Sequence, residues 1–88
     1  MSGRDRERLK TSVETIRATV RDNYMGGELT LEQAFEADQN LELTLAAIRV
    51  VAPDKETLRK HLLASQKSAA PMGADFDEVL KALPQSEI

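Results

Sequence analysis

Eighty-eight residues with a net charge of −3 and no cysteine make one small domain without disulfides, thiolate metal sites or cysteine catalysis. Hydrophobic residues are 41% and charged residues 31% of the chain, a globular balance, but 11 of the apolar residues are alanines, so the core is thin for a lone monomer. The longest apolar run, Leu45 to Ile48, is four residues, too short for a membrane span or a signal-peptide core, and the chain is expected in the cytoplasm. Charge alternates by segment. Residues 1–25 hold six bases and four acids, and 26–52 hold five acids and Arg49 alone. Four bases and two acids occupy 53–68, and four acids with Lys81 occupy 69–88. No single basic surface for nucleic acid follows from that pattern.

The first predicted element runs from about Gly3 to Met25. Leu9, Val13, Ile16, Val20 and Tyr24 are spaced four, three, four and four apart, a narrow apolar stripe on a helix. Gly26-Gly27 ends it, because glycine accepts the left-handed backbone of a helix terminus. Thr30 with Gln33 is a capping box for a second helix, with Leu29 and Ala34 placed as a hydrophobic staple. That helix is expected to reach Ala52 before Pro53, with Asp38-Gln39-Asn40 as the place for a break. Nine of the twelve positions from 41 to 52 are apolar, so this stretch is expected at the centre of the core, covered on several sides.

Asp54 caps a third helix over about 55–67, with Leu58, Leu62 and Leu63 inward. Residues 68–74 read as a mobile loop of small residues. Asp75 and Glu78 then form a capping box for a short helix lined by Phe76, Val79, Leu80 and Leu83. Pro84 ends it, leaving a disordered tail at about 85–88. The fold class expected is all-α: a small irregular bundle of two long and two shorter helices in a single domain, with no period-two pattern for strands.

No catalytic, cofactor-binding or metal site is expected. His61 is the only histidine and reads as a boundary residue of the third helix, with no nucleophile or second ligand to work with. Asp38 and Glu42 stand at i, i+4 but lack the further oxygen ligands of a cation loop, and read as neighbours on a solvated helix face. The chain is therefore expected to be non-enzymatic, a small regulatory or adaptor protein. It would act through helix-mediated association with itself, as a homodimer, or with another protein. The narrow stripe of Leu9, Val13, Ile16, Val20 and Tyr24 is one expected partner surface. The other is Phe76, Val79, Leu80 and Leu83, the i, i+3, i+4, i+7 anchors of a helix laid in a groove.

The alternative rests on a short resemblance. The stretch from Ala46 to Leu62 resembles the helix-turn-helix of bacterial regulators. Ala47 and Val51 would form the packed face, Ala52 the turn, Asp54 the cap, and Thr57-Leu58-Arg59-Lys60-His61-Leu62 the start of a recognition helix. Phe76-x-x-Val79-Leu80-Lys81-x-Leu83 extends the similarity to small antidote proteins of toxin–antitoxin pairs. The resemblance implies a transcriptional regulator or antitoxin that binds DNA through Lys55, Arg59 and Lys60.

Overall fold

Local chemistry sets four helices, and the phase of their apolar residues decides how they stack. The computed structural model describes residues 3–50, 54–81 and 83. It contains α1 (Gly3–Met25), α2 (Leu31–Ile48), α3 (Lys55–Ser68) and α4 (Gly73–Lys81), with one 3-10 turn at Ala70–Met72 before α4. No strand occurs among the described residues, and the protein is an all-α bundle of two long and two shorter helices.

The α1 stripe points inward, burying Leu9, Val13, Ile16 and Val20. Its end is a Schellman turn. Gly27 takes φ 84°, its N–H donates to Tyr24 O at 3.1 Å, and the Glu28 N–H donates to Asn23 O at 2.8 Å. The capping box that starts α2 is complete. The Gln33 N–H donates to Thr30 Oγ1 at 3.1 Å and the Thr30 N–H donates to Gln33 Oε1 at 2.9 Å, with Leu29 and Ala34 both in the core.

α2 is unbroken where Asp38-Gln39-Asn40 suggested an interruption. The competing polar groups turn back on their own helix or toward α1. Asn40 Nδ2 donates to Glu36 O at 3.0 Å, Thr44 Oγ1 donates to Asn40 O at 2.8 Å, and Asp38 meets Arg17. The helix stops at Ile48 with Arg49 as its C-cap, short of the expected Ala52. Val51, Ala52 and Pro53, and the expected stop at Pro84 and tail at 85–88, lie outside the described residues.

Asp54 caps α3 as expected, Oδ1 accepting from the Glu56 N–H at 3.1 Å and Oδ2 from the Thr57 hydroxyl at 3.0 Å. Its inward row is Leu58, Leu62 and Ser65, so Leu63 is solvent-facing rather than inward, one position out of phase. The segment 68–74 is not a loop throughout. Ala69 and Met72 are buried as the 3-10 turn wraps Pro71, and the small side chains let that turn sit close to the core. α4 consequently begins at Gly73, which places Asp75 inside the first turn and removes the expected Asp75–Glu78 capping box. The Gln66 amide secures this corner by donating to Gly73 O and Asp77 Oδ1, both at 2.9 Å.

α2 packs against both α1 and α3, and α4 crosses onto α1 and α3 to close the bundle. Between α2 and α3 the contact is tight. Ala37, Thr44, Ser65 and Ala69 are fully buried, and Ser65 Oγ donates to the Ala37 carbonyl at 3.1 Å. Small side chains let the two backbones approach, and the serine hydroxyl finds its partner in a carbonyl of the facing helix. The result is elongated, 41 × 20 × 19 Å.

Two stability outcomes follow. Leu41→Ala removes a fully buried side chain at the middle of α2 and is expected to cost about 2–5 kcal/mol in urea unfolding. Gly27→Ala is expected to cost about 1–2 kcal/mol through the left-handed backbone alone, with unchanged helix content by circular dichroism.

Candidate functional site

The two surfaces that spacing singled out for partners are largely engaged inside the chain. Leu9, Val13, Ile16 and Val20 form the α1 side of the core, and Phe76, Val79 and Leu83 the α4 side, with Leu80 half-buried against them. A narrow stripe suffices here because α2 and α4 each cover part of it. Of these nine residues only Tyr24, 40% exposed, is freely accessible. Ile16→Asp, in place of parting two chains, would put an unpaired charge in the core and unfold one.

The helix-turn-helix resemblance has its turn, with Val51, Ala52 and Pro53, outside the described residues; of its two helices the described parts are α2 to Ile48 and α3 from Lys55. On α3, Arg59 and Lys60 are exposed, Lys55 and His61 are half-buried, and the acidic Glu56 is exposed beside them.

Asp38 and Glu42 are more than solvated neighbours, because Arg17 reaches across from α1 to hold both. Its Nε donates to Asp38 Oδ1 at 2.6 Å, and its second nitrogen to Asp38 Oδ2 at 3.3 Å and Glu42 Oε1 at 2.8 Å. The Asp38 hydrogen bond is the main cause that raises the Arg17 pKa above its ordinary value. Desolvation opposes it, and the fields of both carboxylates and the Glu42 hydrogen bond add to it. A base raised on folding contributes stability that is lost only as pH climbs through its folded value. For arginine that lies far above neutral, so the contribution of Arg17 is constant across the physiological range. The three side chains keep substantial solvent contact, and such pairs are worth little singly. Their i, i+4 spacing on α2 was legible, but the partner lies 21 residues away from Asp38 on another helix.

What the single chain leaves uncovered is the outer face of α2. Along it run Leu31, Phe35, Gln39, Leu43, Ala46 and Val50, spaced four, four, four, three and four apart. Leu31 is 65%, Phe35 60%, Leu43 51% and Val50 55% exposed. At the helical repeat the first five positions fall within roughly 120° of one another, a sector they share with Glu32 and Glu42, nearly opposite the inward row Ala37, Leu41, Thr44 and Ile48, and Val50 follows just past the helix end. The helix thus has two apolar faces, one buried and one in water. At the α1–α2 turn the outer face continues into a shallow groove lined by Tyr24, Leu31 and Phe35 with Arg21 and Asp38. The signal was present in the sequence as the run of nine apolar positions in twelve. A fraction carries no phase: of the seven described apolar positions in that run, Leu43, Ala46 and Val50 are exposed.

One polar groove completes the surface. Thr11, Ser12, Thr15 and Thr19 face Asp75 and Glu78 across a groove between α1 and α4. Among the described residues no group of three or more histidine, aspartate or glutamate side chains is placed to hold a metal ion, and no helix is long and apolar enough to cross a membrane. No protein-family model, curated protein or solved structure matches the chain.

A double-mutant cycle on Arg17→Ala and Asp38→Ala is expected to give a coupling of about 1 kcal/mol or less in urea unfolding, shrinking as salt is added.

Proposed function

We propose that this is a small, non-catalytic regulatory or adaptor protein of the cytoplasm that acts by helix-mediated association, with itself or with another protein. The observation that carries the reading is the exposed apolar face of α2. Water-facing apolar side chains scattered singly need no explanation, but a row of them along one helix, edged by charge, has the composition of a contact surface. Phe35 and Tyr24 supply the aromatic area that dominates such contacts. None of the exposed row belongs to the buried core cluster. Absence of cysteine from the sequence suits a reducing compartment, where disulfides are rare.

Photo-crosslinking in the cell tests this. A light-activated amino acid at Phe35 or Leu43 is expected to give discrete protein adducts, and the same group at Arg4, exposed on α1, is not. Equal labelling from all three positions, or none from any, would remove the reading. In parallel, Arg59→Ala with Lys60→Ala is expected to change stability by less than about 0.5 kcal/mol and to leave association intact. Tight, salt-sensitive binding to a DNA duplex that this pair abolishes would replace association with DNA recognition.

A further inference from the structure

The exposed side of α2 is apolar and acidic together, and its acids restrict what can cover it. We propose that it binds a basic amphipathic helix of another protein. This rests on the association reading above and gives that partner its chemistry.

The apolar part has a recessed end and a flat end. At the α1–α2 turn, Tyr24, Leu31 and Phe35 wall a groove of about 170 Å³ backed by buried Val20 and Ala34. That volume is on the scale of one aromatic or leucine side chain. Leu43 lies about 12 Å beyond Phe35 along the helix, close to the i, i+7 spacing of anchors on a helix laid alongside.

The acids lie unevenly about this surface. Toward α1 the charge is balanced, with Arg17, Arg21 and Arg49 against Glu14, Asp38 and Glu42. On the other flank it is not. At the helical repeat Glu32 falls between Phe35 and Leu43, and Glu36 stands one turn on and about 40° further round. Both are exposed, and neither forms an ion pair among the described residues. Exposed Glu28 adds a third carboxylate just before α2. Apolar surface beside unpaired carboxylates is covered at least cost by a partner that brings its own cations. A second copy of this face would add acids to acids, and an anionic bilayer or a nucleic acid would add phosphates. A helix with large apolar residues along one face and Lys or Arg beside them meets both needs. Its anchors fill the groove and cover Leu43, and its cations stand over Glu28, Glu32 and Glu36, where they select the partner more than they hold it.

Two synthetic amphipathic peptides of about 14 residues, long enough to run from the groove past Leu43, serve as probes. They share one leucine pattern, and the polar positions are all lysine in one and all glutamate in the other. By fluorescence anisotropy at ~0.15 M salt, the full chain should bind the lysine peptide at least about tenfold more tightly than the glutamate peptide. Phe35→Ala with Leu43→Ala should weaken that binding about tenfold or more. Glu32→Lys with Glu36→Lys should weaken it as much and turn the preference toward the glutamate peptide. Glu7→Lys with Asp22→Lys, exposed on α1, changes net charge equally and should leave affinity within about twofold. All six positions are exposed, so each variant should keep the wild-type circular dichroism spectrum. Failure to bind the lysine peptide, equal affinity for both peptides, or equal loss in the α1 control overturns the proposal. So does a homodimer, or retention on phosphatidylserine vesicles, that Phe35→Ala with Leu43→Ala abolishes, since the face then has another occupant. Discrete adducts from Phe35 in the crosslinking experiment would in those cases leave the association reading standing, and their absence would remove both.

Discussion

The close contact of α2 with α3 is the constraint on which the rest depends. Ala37 and Ser65 are fully buried small residues, and the Ser65 hydroxyl donates to the Ala37 carbonyl across the contact. That contact fixes which side of α2 is inward. Once Ala37, Leu41, Thr44 and Ile48 face α3 and α1, the opposite side of the same helix faces solvent, whatever its side chains are. α1 and α4 then finish the core, α1 with a stripe one side chain wide and α4 with Phe76 and Val79.

Apolar burial supplies the cohesion of this arrangement, and polar groups supply its alignment. The Arg17 bridge to Asp38 and Glu42 is partly solvated, so its net energy is small, but it ties a defined point on α1 to two successive turns of α2. The Gln66 amide does the same for α3 and the first residues of α4. Both act at edges of the core, where a shift along the helix axes would cost little apolar contact but would break a charge-assisted or paired hydrogen bond.

Helix positions were legible because their signals are local. Gly27 needs only its own backbone freedom, the Thr30–Gln33 box only three residues of spacing, and the Asp54 cap only the next turn. What was not legible depends on residues distant in sequence. Nothing near Arg17 announces Asp38. Nothing within 68–74 says that Ala69 and Met72 have apolar surface to cover, which is why small residues there read as a loop. Spacing marks the α1 and α4 stripes as apolar faces without saying which chain lies on them, and in the single chain they line its own core. Thr44 and Leu43 carry the same lesson inside one turn. Composition would bury the leucine and expose the threonine, but helical phase places Thr44 against α3, where its hydroxyl is satisfied by Asn40 O, and turns Leu43 outward.

Those two neighbours also connect the fold to the proposed function. A threonine is tolerated in the core because a helix carbonyl one turn back accepts its proton, so it imposes no unpaired donor. A leucine in water has no such local remedy. In the single chain Leu43, with Leu31, Phe35 and Val50, keeps more than half of its surface in water. The sequence-level expectation that a helix apolar nearly all round is covered on several sides is therefore half met within one chain. The unmet half, Leu31, Phe35 and Leu43, shares its side of α2 with Glu32 and Glu42, so whatever covers that side must answer the charge of two carboxylates as well as remove apolar surface from water.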